Sequence, residues 1–218
     1  MKLIGMLDSP YVRRVAISLQ LLGLPFEHRS VSVFRGFAEF ERINPVVKAP
    51  TLVCDDATVL MDSGLILDYA EALAGPGRSL MPAGIAERLQ ALHCIGLALA
   101  ACEKGVQIVY ERNLRPADKQ HAPWIERVRG QLFAALSGLE AEAAQRPFAA
   151  RRETIDQAGV TAAVVWRFLV AALADVVDPA RYPRLAAYSA QAETLPEFAA
   201  APHGEGLVTA QAQAAAGR

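Results

Sequence analysis

The chain carries almost no net charge: 22 basic residues stand against 23 acidic ones in 218, a formal charge of −1. That balance argues against a nucleic-acid partner, which selects a basic surface, and against an acidic disordered tail. Cysteine is scarce. Cys54, Cys94 and Cys102 cannot all pair internally and show no C-x-x-C spacing, which fits a reducing, cytoplasmic setting. The four histidines (His28, His93, His121, His203) show no H-E-x-x-H spacing, so no metal is expected. No internal repeat is present. The N-terminal apolar run, Leu3 to Leu7, is short, contains Gly5 and stops at Asp8, so it reads as a strand and not a signal peptide. The longer apolar stretch, Ala158 to Val177, has Arg167 at its centre, which costs about 2.5–3.5 kcal/mol in a bilayer. A buried core helix of a soluble protein is expected there.

What is present is ample hydrophobic material, 53% of residues, enough for the cores of two small domains. Lys2–Leu7 reads as a buried strand. Val12–Leu22 has helical spacing and stops at Gly23. Phe26–Val33 alternates weakly and reads as a second strand, so the pair suggests a right-handed βαβ unit. A short helix is expected over Phe37–Ile43, a hairpin over Thr51–Cys54 and Thr58–Met61 around Asp55-Asp56, and a helix over Asp62–Ala74. Gly75-Pro76-Gly77-Arg78 breaks the pattern. After it, helices are expected over Ile85–Arg112, Trp124–Gln145, Thr154–Asp175 and Pro183–Thr194. The alanine- and glutamine-rich tail after Leu207 is expected to be poorly ordered. The expectation is an α/β domain over 1–77, of thioredoxin-like order, and an all-α domain over 85–218.

Three short stretches offer chemistry, and each has an ordinary structural reading beside it. Ser9-Pro10 is a favourable helix start; the same hydroxyl at a helix N-terminus can donate to an anion, and donation to a thiolate lowers the thiol pKa. Pro50 is an ordinary trans proline at a strand start, or a cis one that turns the Ala49 backbone toward an extended peptide. Asp62-Ser63 is a helix cap, or a site where Ser63 receives a carboxylate and Asp62 an ammonium. An amino acid end, a peptide backbone and a thiol together describe γ-Glu-Cys-Gly.

The run Ser9-Pro10-Tyr11-Val12-Arg13-Arg14, then Asn44-Pro45-x-x-Lys48-x-Pro50-x-Leu52, then Asp62-Ser63, resembles the bacterial type of the cytosolic glutathione S-transferase family. Thr154-Ile155-Asp156-Gln157 stands where that family keeps an N-capping box, and Glu111-Arg112-Asn113-Leu114-Arg115-Pro116 is similar to a segment of some bacterial members. The likeness covers nearly the whole chain. It implies that Ser9 donates to the glutathione thiolate, that Ala49 before a cis Pro50 pairs with the cysteinyl backbone, and that Asp62 and Ser63 hold the γ-glutamyl end. Lys48 either reaches the glycyl carboxylate or is simply solvated.

Departures from the family pattern matter too. Asp8 places a negative charge beside Ser9. Val47 stands where many members have glycine. Gln157 replaces the usual Asp of the box, although Gln also closes such boxes. Tyr11 is a rival hydroxyl, but its place inside the helix favours packing. The second-substrate pocket is expected between the domains, with Tyr11, the loop Phe34-Arg35-Gly36-Phe37, and Tyr110, Asn113 and Leu114 as walls and Trp166 deeper. The three cysteines read as buried hydrophobes.

The resemblance implies a homodimeric, cytoplasmic glutathione S-transferase that ionises glutathione, as co-substrate, and adds it to a mainly apolar electrophile. No nucleic-acid or membrane partner is expected. Isomerisation, dehalogenation or peroxide reduction with the same thiol is the first alternative. A non-catalytic protein acting through protein partners is the second.

Overall fold

The computed structural model describes residues 1–209. The alanine- and glutamine-rich tail from residue 210 lies outside them. Two compact units are present. One contains Met1–Leu80 together with the described residues from Glu193 to Thr209; the other spans Met81–Ala192. The segment from Glu193 thus groups with the N-terminal unit, whereas the sequence placed it in the helical domain.

The first unit is built on a four-stranded mixed sheet of order β2-β1-β3-β4. Its strands are β1 (Lys2–Ile4), β2 (Glu27–Arg29), β3 (Thr51–Val53) and β4 (Val59–Met61). β1 runs parallel to β2, with Leu3 opposite His28, and antiparallel to β3, with Leu3 opposite Leu52; β3 and β4 form the expected hairpin. The helices are α1 (Pro10–Leu21), α2 (Phe37–Ile43) and α3 (Ser63–Ala74), with α1 packed on α3. Ile4, Val31 and Phe40 form a buried cluster, and Val33, Ile43 and Val47 pack against it. Strand alternation turns Leu3, also fully buried, to the opposite face.

The strands are shorter than expected for identifiable reasons. β1 stops at Gly5, whose φ is +137°; a Cβ there would lie 2.6 Å from Val12 Cγ2 and 3.2 Å from Ala49 Cβ. Only glycine allows that close approach. β2 stops because Ser32 Oγ accepts from the N–H groups of Phe34 and Arg35, closing a turn where alternation had suggested strand. α1 starts two residues earlier than its apolar spacing, because Ser9 caps it and Pro10 occupies its first turn.

The second unit contains α4 (Ile85–Leu114), α5 (Ala122–Gln145), α6 (Gln157–Ala172) and α7 (Pro183–Ala192). α6 is buried on nearly every side, packed by α4 and α7, which explains its apolar composition. Arg167 lies on its one exposed strip. α4 is long and apolar enough by composition to cross a bilayer, yet it packs against α5 and α6. At Gly105, an added Cβ would come within 2.3 Å of Leu169 Cδ2, so this glycine sets the close approach of α4 and α6.

The helix Thr154–Asp175 is shorter than expected, and its cap differs. Asp156 is the capping residue, its Oδ1 accepting from Gly159 N–H at 2.8 Å. Gln157 is then the first helical residue. It is buried, and its amide donates to Thr161 Oγ1. The helix Pro183–Thr194 also ends early, and a further short helix, α8 (Pro196–Ala199), follows.

Candidate functional site

Ser9 sits at the N-terminus of α1 with extended backbone, and its Oγ accepts from Val12 N–H at 3.4 Å. A serine hydroxyl has two acceptor lone pairs and one proton. Capping uses a lone pair, so the proton remains available to an anion. Asp8 beside it has an exposed side chain, yet its carboxyl is pushed above the ordinary range, chiefly by loss of water around it. The Ser9 N–H bond opposes that shift, as do His203 and Arg35, while Glu205 adds to it. Asp8 thus keeps an acidic group next to the Ser9 hydroxyl, where its charge opposes that of a thiolate. Tyr11 is half-buried inside α1.

The Ala49–Pro50 peptide is cis. The loop leading to it is braced by a polar chain that the sequence reading did not single out. Asn44 is buried; its Oδ1 accepts from Val46 N–H at 3.0 Å and its amide donates to Thr51 Oγ1 at 2.8 Å. The Thr51 hydroxyl in turn donates to the Lys48 carbonyl at 2.7 Å. Val47, in the middle of the loop, has φ +52°. That left-handed region is unfavourable for a β-branched residue, whereas glycine adopts it without steric penalty.

Asp62 also has positive φ, +75°, and caps α3 through Oδ1, which accepts from Gly64 N–H at 2.9 Å. Strained backbone of this kind costs about 1–3 kcal/mol and gathers at ligand sites. Its other carboxylate oxygen lies 3.6 Å from Lys48 Nζ, both side chains being about half exposed. Ser63 follows, buried, with Oγ accepting from Arg14 Nη1 at 3.2 Å.

These contacts join the three stretches. Val12 of α1 and Ala49 both crowd the Cα of Gly5, Lys48 reaches Asp62, and Arg14 of α1 reaches Ser63. Arg14 was missed because a helix arginine normally reads as solvated. No spacing in the sequence would have found it.

The other expected positions divide. Phe34 is exposed in the first unit; Tyr110, Asn113 and Leu114 are exposed in the second. Trp166 is 5% exposed and meets Tyr182 edge-on at 5.9 Å, so it belongs to the core of the helical unit. Glu111 joins two helices: its carboxylate accepts from His121 N–H at 3.1 Å and pairs with Arg115 at 2.8 Å. All three cysteines are buried, and none is in a disulfide. Among the described residues no cluster suited to a metal is found.

A small mixed sheet with a cis proline beside a capped helix, followed by a helical unit, defines a two-domain protein with a thioredoxin-like half. Residues 3–78 match the N-terminal domain of glutathione S-transferases and residues 122–191 match their C-terminal domain. The chain belongs to the glutathione S-transferase family. An uncharacterised GST-like protein of Escherichia coli, YibF, is 30% identical over 140 residues, 64% of this chain and 68% of its own. A zeta-class glutathione S-transferase of Euphorbia esula is 32% identical over 146 residues, 64% of this chain and 63% of its own. Among crystal structures, a Methylobacterium radiotolerans glutathione S-transferase in complex with glutathione sulfonate superposes with a TM-score of 0.82 at 28% identity, covering 91% of this chain and 92% of that one. A Pseudomonas fluorescens family member with bound glutathione gives 0.80 at 28% identity, covering 93% and 98%.

Proposed function

We propose that this protein binds glutathione in its N-terminal unit, ionises the thiol and adds it to an electrophilic, mainly apolar small molecule. The observation that carries the reading is the state of Ser9. Its oxygen is committed to the Val12 N–H, so its proton is left for the thiolate, at a helix end that favours negative charge. Each pKa unit removed from the thiol corresponds to about 1.4 kcal/mol. The glutathione and glutathione sulfonate bound to relatives at 28% identity support the ligand.

In this reading the Ala49 backbone pairs with the cysteinyl residue, and Asp62 and Ser63 take the γ-glutamyl ammonium and carboxylate. Lys48 stands over Asp62, where it would balance the acid charge or reach the glycyl carboxylate. The protein acts as a cytoplasmic homodimer. Exposed apolar stripes on α3 (Leu65, Tyr69, Leu73) and on α4 (Ile85, Leu89, Leu92) support the second copy.

Calorimetric titration with glutathione and S-methylglutathione tests the site, and turnover of an activated aryl halide tests the chemistry. Binding of both ligands with turnover is expected. Binding without turnover of any electrophile would replace conjugation by another glutathione-dependent reaction. No binding of either would favour a scaffold acting through protein partners.

A further inference from the structure

α1 carries two consecutive arginines, both buried. Arg13 is 1% exposed and Arg14 3%. Successive helix residues point about 100° apart. Arg13 faces the C-terminal segment, where it forks onto Glu193. Arg14 faces α3, where Nη1 donates to Ser63 Oγ at 3.2 Å.

We infer that Arg14 is a positioning residue for the carboxylate of the bound peptide: by holding the Ser63 oxygen as an acceptor, it turns the Ser63 proton toward the ligand. The inference rests on the assignment of Asp62-Ser63 to the γ-glutamyl end.

Hydrogen-bond capacity sets the direction of this contact. A guanidinium has five donors, no acceptor, and does not deprotonate in proteins. Ser63 therefore cannot donate to Arg14 at any working pH. A backbone carbonyl in Arg14's place would take the hydroxyl proton inward and leave a lone pair facing the ligand, which repels a carboxylate. With Arg14 there, the hydroxyl is polarised by a cation on one side and presents its proton on the other. Charge-assisted bonds are roughly twice as strong as neutral ones, and the guanidinium acts here through protein and not bulk water. Asp62 beside Ser63 is directed differently, with one oxygen on Gly64 N–H and the other near Lys48. The two neighbours thus divide an amino acid end: an acceptor for the ammonium and a proton donor for the carboxylate. Arg14 is five positions after Ser9 on the same helix. The element that presents the thiol's partner also fixes the group that holds the far end of the peptide.

A purely structural Arg14, pinning α1 to α3, would show the same bond. The two roles separate on the ligand. The test is calorimetric binding of glutathione and of its analogue with 4-aminobutyryl in place of γ-glutamyl, which lacks only that carboxylate. Arg14→Gln is expected to weaken glutathione roughly tenfold or more and to leave the analogue within about twofold. Arg14→Lys, which keeps a donor and the charge, should recover part of the loss. Ser63→Ala leaves the guanidinium in place and guards against a folding defect in the arginine variants. It should show the same carboxylate-selective loss, and the double variant should bind glutathione no worse than the weaker single one. Equal weakening of both ligands, or an unchanged glutathione affinity, overturns the inference. A wild-type protein that binds neither ligand overturns the glutathione reading itself, and Arg14 loses its ligand with it.

Discussion

Arg13 and Glu193, 180 positions apart, meet in a two-point fork: Nη1 and Nη2 donate to the two carboxylate oxygens, each at 2.6 Å. The Arg13 Nε–H donates to the Ala201 carbonyl at 2.7 Å, and the guanidinium lies 5.8 Å from the Phe198 ring centre. One buried side chain on α1 thereby gathers the residues on both sides of α8. A buried charge is tolerable only when paired and hydrogen-bonded, and this one satisfies that condition with groups from the end of the chain.

Removal of one partner leaves the other uncompensated. Arg13→Met or Glu193→Gln should each destabilise the N-terminal unit by about 3 kcal/mol. Glu193→Gln leaves the charge of the fully buried Arg13 uncompensated, whereas Arg13→Met leaves a partly exposed carboxylate that water can reach, so the Glu193 variant should be the costlier in unpaired charge. Chemical denaturation measures the loss, and limited proteolysis should show earlier cleavage after Ala192. Unchanged stability in both variants would mean that the fork contributes nothing net.

The Ser9 role can be separated from its capping role. Glycine at a helix cap costs only a few tenths of a kcal/mol, whereas alanine costs about 1 kcal/mol. Ser9→Gly should therefore keep the fold and the glutathione affinity while lowering kcat roughly ten- to hundredfold, the worth of one hydrogen bond to a charged group. The thiolate absorbance of the bound complex should fall at neutral pH. Full turnover in Ser9→Gly would move attention to Tyr11 or to backbone N–H groups.

His28 supplies a pH dependence. Its Nδ1 accepts from Val208 N–H at 3.1 Å, which requires a bare Nδ1 and a proton on Nε2, donated to the Gly5 carbonyl at 2.8 Å. Burial lowers its pKa, with the Gly5 bond opposing. The folded state therefore binds fewer protons than the unfolded one. Stability from this residue is complete above the unfolded value of about 6.5 and is lost as pH falls from there toward the lowered folded value. Hydrogen exchange at Val208 should quicken as pH is taken from 7.5 to 5, after correction for intrinsic rates. A His28→Gln variant should lack that dependence. Protection independent of pH in the wild type would show that the ring does not hold the segment.

Val47 sets two terms against each other. Left-handed backbone costs a β-branched residue about 1–2 kcal/mol, while its partial burial against Ile4, Val31 and Phe40 is worth about 1 kcal/mol and glycine adds unfolded-state entropy. Val47→Gly should change stability by less than about 1 kcal/mol, against about 2–5 kcal/mol for Ile4→Ala in the same cluster. Denaturant midpoints decide, and a loss above about 2 kcal/mol would mean the loop strain is negligible.

The sequence showed local features well and long-range ones poorly. Phe37–Ile43 has the bounds expected of it, because its closing signal, Asn44-Pro45, lies directly at the helix end. Ser9, the Asp62 cap and the β3–β4 hairpin were legible for the same reason. The contacts of Arg13 with Glu193 and of Arg14 with Ser63 were not. They depend on Glu193, 180 positions later, and on Ser63, 49 later, and no periodicity records such partners. α8 was missed because four residues are too few for a period. The capping box at Thr154 failed differently: the motif was seen, but the helix starts late enough that Asp156 caps it and Gln157 turns inward.

The apolar stripes give the last prediction. Ile85 is 83% exposed and Leu89 70%, and they stand four residues apart on α4, so they share a helix face. Leaving side chains of this size in water forfeits about 1.5–3 kcal/mol each, and α4 pairs its other faces with α5 and α6. A second copy of the chain would cover the stripe. Leu89→Glu puts a charge at its centre, where an interface would have to desolvate it without a partner, and should convert a dimer into a monomer at micromolar concentration. Sedimentation velocity measures the conversion, and an unchanged thermal midpoint of the helical unit would show that the substitution acts on assembly and not on the fold. A wild-type protein that sediments as a monomer would remove the second copy as the occupant of this face.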